Sequence, residues 1–312
     1  MKLISVITTC YNEEQNVRDI YLEVKNLFDN SKHYVYEHIF IDNASTDETV
    51  SILKEISKED KNVKIIVNTR NFGSSRSGQH ALYQARGDAI VLIVADLQEP
   101  PPIILEFLTK WEEGYKIVVG IKNKSEENPI LFLIRKLYYD VINRFSDTEQ
   151  IKNFTGFGLY DKEIINLLKE TVTDPHPYFR GLISELGHET AEVEFTQKKR
   201  KKGKSKHNFY SWYELAMLGF VNHSKVPLRI AAFIGFSVAI LSLLLLAIYI
   251  IWKIVLWKET PLGMAPLIIG IFFFSAVQLF FIGVIGEYIG AIYTHVRNRP
   301  LVIEKERINF DL

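Results

Sequence analysis

Asp96 and Gln98 follow an apolar run at residues 89–94, and the prolines from position 100 end any strand there. Such a run is typical of a buried strand in an open α/β sheet, whose ligand crevice lies at the carboxyl ends of the strands. Residues two apart share one face of an extended chain, so both side chains can reach one hard cation such as Mg²⁺ or Mn²⁺. The alternative is that Asp96 only caps the helix after Pro100.

Two earlier apolar runs end in the same way. Thr9, Tyr11 and Glu13 follow the first, and Asp42 follows the second. A tyrosine ring can stack on a nucleotide base, and carboxylates can accept hydrogen bonds from a base edge or a ribose hydroxyl. Helix capping or solvation explains each acidic residue equally well when it is taken alone. Their common place at strand ends favours a nucleotide site, where a cation neutralises a leaving diphosphate.

Alternating elements must position these residues. The apolar runs predict strands at 3–8, 35–41, 63–67, 89–94 and 117–120. A helix follows the first strand, with Asn12 and Gln15 in the pattern of a capping box. Ser45–Asp47 opens a second helix, and the turn at 71–74 leads into a third that runs to about Ala85. This alternation predicts βαβ units, an α/β fold and a mostly parallel sheet.

Composition excludes several classes of function. The 312 residues contain 37 Lys and Arg against 37 Asp and Glu, so no nucleic-acid partner is expected. The single cysteine, Cys10, excludes an internal disulfide and a cysteine zinc site. The histidines lack metal-ligand spacing. The first apolar run is too short for a signal peptide, so we expect the N-terminal domain, residues 1–208, in the cytoplasm.

Two uncharged stretches, at about 230–252 and 261–286, predict a pair of transmembrane helices within residues 228–294. Each can cross a hydrocarbon core of about 30 Å. Basic residues flank the pair on its outer sides, whereas the connecting loop carries only Lys253 and Lys258. The positive-inside rule then places both the domain and the tail, residues 295–312, in the cytoplasm of a multi-pass inner-membrane protein. Glu287 is expected at the membrane interface. Glycines in the second stretch permit, without requiring, a homo-oligomer.

Two further segments have one apolar face. In residues 128–145 the apolar positions follow helical spacing beside Arg135 and Arg144, and residues 209–227 have the same character. Each is explained either as an amphipathic helix packed on the domain or as a helix lying at a membrane surface.

Three motifs carry a family resemblance: residues 9–14 (TCYNEE), 41–47 (IDNASTD) and 95–101 (ADLQEPP). They resemble successive signatures of family 2 glycosyltransferases with the GT-A fold. The third is similar to that of the polyprenyl-phosphate branch, the dolichol-phosphate mannose synthases and undecaprenyl-phosphate glucosyltransferases. Further matches lie at 153–160, 177–181 and 200–206, so the resemblance covers nearly the whole chain. It implies inverting, metal-dependent transfer of a sugar from a nucleotide diphosphate, with UDP the expected nucleotide, to undecaprenyl phosphate.

The resemblance also implies site residues. Nucleotide contacts are expected from Thr9, Tyr11, Glu13, Asp42, Ala95 and Asp96; metal ligation from Asp96 and Gln98; and acceptor-phosphate contacts from Arg200, Ser205, Lys206, Lys122 and Arg135. Asp96 and Arg200 are the residues expected to be catalytic. The alternative for the basic run 198–206 is a surface patch attracted to anionic lipid.

The sequence departs from the family pattern twice. Val94 stands where the first aspartate of the usual Asp-x-Asp motif would lie, and Gly156-Phe157-Gly158 lacks a carboxylate found in some members. A phosphate monoester is already largely ionised at neutral pH, with a second pKa of about 6, and can attack without a general base. The missing base therefore favours a lipid-phosphate acceptor.

Two rival functions remain open. A carbohydrate acceptor would need a base, for which Glu185 is the residue to test. A catalytically silent lipid-binding relative is suggested by Val94 and Gly156.

Overall fold

An eight-stranded sheet forms the centre of the computed structural model, which describes residues 1–31, 33–124, 151–172, 174, 177–198, 226–255, 264–297 and 299–310. The strands are β1 (Lys2–Cys10), β2 (Tyr34–Asp42), β3 (Val63–Asn68), β4 (Ala89–Val94), β5 (Ile117–Lys124), β6 (Phe154–Asp161), β7 (Thr190–Thr196) and β8 (Glu304–Ile308). Their order across the sheet is β7-β5-β6-β4-β1-β2-β3-β8.

Helices accompany the strands along the chain. They are α1 (Val17–Asp29), α2 (Thr49–Glu59), α3 (Ser74–Leu82), α4 (Ile103–Glu112), α5 (Lys162–Thr171), α6 (Phe179–Glu185), α7 (Val226–Val255) and α8 (Met264–Val296). Two buried apolar clusters separate them into layers. One contains residues of α1, α2 and α4, and the other contains residues of α3, α5 and α6. The sheet is therefore covered on both faces, which explains why its inner strands are rich in apolar residues.

The strands predicted from the sequence are β1 to β5, of which β4, β1, β2 and β3 pair in parallel as one block. The remaining pairings are mixed. β6 is antiparallel to both β4 and β5, β7 is parallel to β5, and β8 is antiparallel to β3. The predicted α/β class and mostly parallel sheet are confirmed.

Two details of the predicted helices are wrong. The capping box at Asn12 does not form, because α1 begins at Val17 with Asn16 as its N-cap and without a side-chain cap bond. The helix expected to reach Ala85 ends at Leu82.

The two C-terminal helices, α7 and α8, differ in the length of their apolar stretches among the described residues. Among the described residues, Phe273–Val296 of α8 is long and apolar enough to cross a membrane, and a shorter apolar stretch, Leu228–Val238, lies in α7. The candidate span in α8 lies closer to the C-terminus than the stretch predicted at 261–286. The amphipathic segment predicted at 128–145 and residues 209–225 of the second one lie outside the described part of the chain.

The tail was expected to be a separate segment after the spans, but it enters the sheet. β8 pairs with β3, and the Thr69 amide donates to Ile303 O at 2.9 Å. The Arg76 side chain donates to Leu301 O at 2.7 Å and to Pro300 O at 2.8 Å. The tail therefore completes one edge of the N-terminal domain.

Candidate active site

Three strand ends meet at one edge of the sheet. In the parallel register Cys10 lies opposite Asp42, and Thr9 lies opposite Val94. This arrangement brings Thr9, Asp42 and the residues after Val94 to the carboxyl edge, where open α/β sheets bind ligands. Thr9, like Tyr11 and Glu13 in the loop that follows β1, is partly exposed.

The loops after β1 and β2 are joined by hydrogen bonds. Asn12 has a φ of 54°, and its Oδ1 accepts from the Thr46 amide at 2.7 Å. The Asn12 amide donates to Ser45 Oγ at 2.8 Å, and the Glu13 amide donates to Thr49 Oγ1 at 2.8 Å. The side chain of Asn12 thus fastens the second loop instead of capping α1. The two loops form one rigid border of the crevice.

Asp42 is buried beneath this border. Its carboxylate accepts hydrogen bonds from the Ser45 amide at 2.9 Å and from the Ser45 hydroxyl. Burial raises the pKa of Asp42, whereas the hydrogen bonds from Ser45 act in the opposite direction. The side chain is fully buried and bonded to its own loop at the carboxyl edge of the sheet. Its predicted contact with the nucleotide stays a prediction.

Asp96 lies in the turn between β4 and α4. The alternative that it caps the following helix is wrong, because the N-cap of α4 is Pro102 and carries no side-chain cap bond. Instead, Asp96 Oδ1 accepts from the Gln98 amide at 3.2 Å. Leu97 between them is buried and has a φ of 57°. Asp96 itself is partly exposed at the sheet edge, while the neighbouring Ala95 is buried.

Gln98 connects this turn to the end of β7. Its Nε2 donates to Lys198 O at 3.3 Å, and the Lys198 amide donates to Gln98 O at 3.1 Å. The chain enters the basic run at Lys198, so the same turn borders both the predicted cation site and the start of the basic segment.

Glu99 lies at the candidate site, although no role was predicted for it from the sequence. It is 5 % exposed, and its carboxylate accepts from Thr155 Oγ1 at 2.9 Å and from the Val94 amide at 3.3 Å. Burial raises the pKa of Glu99 to about 7; the two hydrogen bonds oppose this rise and the charge of Asp96 adds to it. Its burial depends on tertiary packing, so no local pattern could have identified it.

The oxygen ligands at the turn are those that Mg²⁺ and Mn²⁺ accept, since Asp96 offers a carboxylate and Gln98 an amide oxygen. Among the described residues no three His, Cys, Asp or Glu side chains are grouped to hold a metal. Val94, in the place of the first motif aspartate, is 37 % exposed and offers no ligand. A cation here would depend on the oxygens of a bound diphosphate for the rest of its coordination.

The second departure from the family pattern also has a structural basis. Phe157 is 1 % exposed and packs against Phe107 and Phe195, so this position faces the core. Glu185, the alternative base, is exposed at the last residue of α6. Arg180, near the start of that helix, donates to Phe154 O at 3.4 Å, at the crevice end of β6. Arg180, at the start of α6, therefore lies close to the crevice end of β6.

Of the residues predicted to bind the acceptor phosphate, Lys122 belongs to the part of the chain that the structure describes. Lys122 lies near the crevice end of β5, opposite Phe195 of β7, and is partly exposed. Its place at the same edge as Asp96 is compatible with contact to an anionic ligand. Arg135, Arg200, Ser205 and Lys206 lie outside the described residues.

A pocket of about 880 Å³ lies at the opposite edge of the sheet, bordered by Lys2, Asp88 and Asp161 among others. Ion pairing between Lys2 and Glu112 at 2.7 Å and a hydrogen bond from Trp111 to Asp161 at 2.8 Å hold its walls together. Because the amino ends of β1 and β4 border this pocket, we do not assign the chemistry to it.

The sheet topology and the position of the candidate site at its carboxyl edge are those of the GT-A fold. The sequence profile described as Glycosyl transferase family 2 matches residues 5–187. The chain belongs to this family and is a glycosyltransferase.

Relatives extend the similarity to nearly the full length. The chain is 33 % identical to the SfII prophage-derived bactoprenol glucosyl transferase of Shigella flexneri, covering 97 % of each chain. It is 33 % identical to the uncharacterized glycosyltransferase YkcC of Bacillus subtilis, covering 96 % of this chain and 92 % of the relative. Among solved structures, mannosyl-3-phosphoglycerate synthase from Rubrobacter xylanophilus matches 69 % of this chain and 71 % of its own, with a TM-score of 0.48 and 16 % identity. By its match to the bactoprenol glucosyl transferase, the chain is similar over nearly its whole length to the polyprenyl-phosphate branch of the family.

Proposed function

We propose that the protein transfers a sugar from a nucleotide-diphosphate sugar, with UDP as the nucleotide, to undecaprenyl phosphate at the cytoplasmic face of the membrane. The observation that carries this proposal is the Asp96 turn, which borders the nucleotide loops on one side and the start of the basic run at Lys198 on the other. Relatives named bactoprenol glucosyl transferases support a lipid-phosphate acceptor.

The residues divide the work between donor and acceptor. Tyr11 and Glu13 border the nucleotide, and Asp42 holds their partner loop in place. Asp96 and Gln98 would hold Mg²⁺ or Mn²⁺, and a bound cation would neutralise the charge that develops on the departing diphosphate. Arg200 and Lys206, aided by Lys122 and Arg135, would bind the acceptor phosphate, since arginine suits bidentate phosphate contacts.

The reaction is proposed as a single in-line displacement. An oxygen of the lipid phosphate attacks the anomeric carbon, the bond from that carbon to the nucleotide diphosphate breaks, and the bonding electron pair leaves with the diphosphate. This displacement inverts the anomeric centre. The buried Phe157 fits it, because an ionised phosphate acceptor needs no carboxylate base at that position.

Membrane attachment by two spans fits the same reaction. The return of the tail to the sheet requires an even number of membrane crossings between residues 198 and 299. Paired spans would keep the catalytic domain and the tail on one side, beside the lipid-phosphate headgroup. Basic residues flanking the pair support the cytoplasmic side.

The direct test is transfer of radiolabelled sugar into organic-extractable lipid by the purified full-length protein. UDP- and GDP-sugars are tested as donors with undecaprenyl phosphate and Mg²⁺ or Mn²⁺. We expect label in the lipid from one donor, lost without the cation and in Asp96→Ala, but retained in the exposed control Asp29→Ala. Transfer only to an added oligosaccharide, with loss of activity in Glu185→Gln, would establish the carbohydrate-acceptor rival. Absence of donor binding in calorimetry would indicate a silent relative.

A further inference from the structure

The turn that carries Asp96 begins at Val94 and ends at Glu99. Val94 is half-exposed at the sheet edge and cannot orient the turn through a polar side chain. Leu97 within the turn has a φ of 57°, which is unfavourable for a residue with a β-carbon, and such a conformation persists only when surrounding contacts impose it. The turn therefore needs support from elsewhere in the fold.

Glu99 provides that support through two hydrogen bonds. Its Oε2 accepts from the Val94 amide at 3.3 Å, which joins the two ends of the turn. Its Oε1 accepts from Thr155 Oγ1 at 2.9 Å, which ties the turn to β6 across the crevice border. The Glu99 carboxylate is buried while Thr155 is exposed near the crevice end of β6, so the link joins the core to the edge of the sheet that carries the site.

A side chain that binds a cation must be held within about 0.5 Å of its working position by its surroundings. Asp96 has no second aspartate beside it, and its Oδ1 bonds to the amide of Gln98 in the same turn. This bond couples the Asp96 carboxylate to the shape of the turn, so a contact that holds the turn also helps to hold the oxygen ligand.

Resting on the proposed cation site, we infer that Glu99 is a positioning residue. Its hydrogen bonds to Val94 and Thr155 hold the Asp96 turn in the shape that binds the cation of the nucleotide donor. Glu99 itself contacts neither the cation nor the sugar. In this chain the support from Glu99 stands in for the ordering that a second motif carboxylate would supply at position 94.

Two other roles for Glu99 lead to different expectations. If it were a cation ligand, its negative charge would be required. If it only filled space in the core, an apolar side chain of similar size would replace it. Glutamine separates these cases, because its oxygen can accept from the Val94 amide while its nitrogen donates to the Thr155 hydroxyl.

The experiment measures Mn²⁺ binding to the full-length protein in detergent with UDP held constant, from the loss of the free Mn²⁺ signal in electron paramagnetic resonance. We expect Glu99→Met to raise the half-saturating Mn²⁺ concentration by roughly 10- to 100-fold, the usual cost of losing a partner that orients a ligand. Glu99→Gln should stay within about threefold of the wild type, since both hydrogen bonds can re-form. The exposed control Glu106→Met should bind as the wild type does.

Thr155→Val tests the second half of the link. It removes one donor to a buried carboxylate and should raise the half-saturating concentration by about tenfold. Combined with Glu99→Met it should add nothing, because the hydroxyl no longer has a partner there. If Glu99→Met folds poorly, Thr155→Val and Glu99→Gln still give opposite expectations.

The outcomes are separable from those of the proposed function, because Mn²⁺ binding does not require transfer. Wild-type affinity in Glu99→Met overturns the inference, as does equal loss in Glu99→Gln and Glu99→Met, which would make Glu99 a ligand. Failure of the wild type to bind Mn²⁺ overturns it as well. Failure of transfer to undecaprenyl phosphate, with the expected binding pattern intact, would reject only the proposed acceptor.

Discussion

Two carboxyl groups of the candidate site, those of Asp42 and Glu99, are buried, and burial raises the pKa of both. A raised carboxyl pKa means that the native state binds its proton more tightly than the unfolded state does. The free energy of unfolding then falls as the pH rises through this interval. For Glu99 the interval runs from its ordinary value of 4.5 to about 7. Ionised Glu99 is thus held at a cost to stability, as is common for residues that serve a site.

We expect Glu99→Gln to stabilise the protein above pH 7 and to have little effect near pH 5, where the wild-type side chain is protonated. The difference approaches about 3 kcal/mol when Glu99 is fully ionised, which corresponds to about 5 °C or more in thermal midpoint for a domain of this size. The measurement is the midpoint difference between variant and wild type at pH 5 and pH 8. Asp42 is present in both proteins, so its contribution cancels.

The matched control for this measurement is Glu106→Gln, on the exposed face of α4. Its midpoint difference from the wild type should not change with pH. A Glu99→Gln difference that is likewise constant between pH 5 and pH 8 would show that Glu99 does not hold its proton in the native state.

At the level of elements, the proposed nucleotide pocket depends on the joined loops after β1 and β2. Asn12 is central to this junction because it combines a left-handed backbone with a side-chain acceptor for the Thr46 amide at 2.7 Å. Asparagine tolerates that backbone better than other residues with a β-carbon. The residue type therefore serves both the turn and the junction.

Substitution separates the two contributions of Asn12. Asn12→Gly loses the hydrogen bond but keeps the backbone conformation, whereas Asn12→Ala also adds about 1 kcal/mol of backbone strain. We expect both variants to bind UDP more weakly than the wild type, and Asn12→Ala about fivefold more weakly than Asn12→Gly. Calorimetric titration with UDP measures this. Asn62→Ala, in the turn before β3, is the control, and equal affinities of the two Asn12 variants would contradict the argument.

The elements that could be predicted from the sequence are those in which several consecutive residues are buried and apolar. β1, β2 and β4 are covered on both faces and are mostly apolar, although β2 also buries Glu37 and His38. The strand ends near Thr9, Asp42 and Asp96 could therefore be predicted. β7 and β8 alternate or carry charge because they lie at the sheet edges, and β8 pairs with a strand from the far end of the chain. Glu99 and the Asn12 junction depend on such distant contacts, which no local pattern reports.

At the scale of the whole molecule, the described chain before the C-terminal helices ends in the domain at Lys198, and the chain after them is again part of the domain. The return is firmly held. Asn309 donates to Ser57 O at 2.8 Å and to Val63 O at 2.9 Å, and Arg86 donates to Phe310 O at 2.7 Å. Since both ends of the intervening segment belong to one folded domain, a crossing by α8 requires a second crossing. α7, with 30 residues, is about 45 Å long and sufficient to supply it.

Cysteine labelling tests this topology. Cys10 is 2 % exposed, and in a Cys10→Ser background a single cysteine can be placed at Lys258, between the two helices, or at Lys305 in β8. In intact cells we expect a membrane-impermeant maleimide to label Lys258→Cys but not Lys305→Cys, and lysis to expose the latter. The reason is that paired spans place only the connecting segment on the side opposite the domain. If both positions are labelled only after lysis, the helices lie on the membrane without crossing it. If Lys305→Cys is labelled in intact cells, the catalytic domain lies outside the cell, and a cytoplasmic donor is excluded.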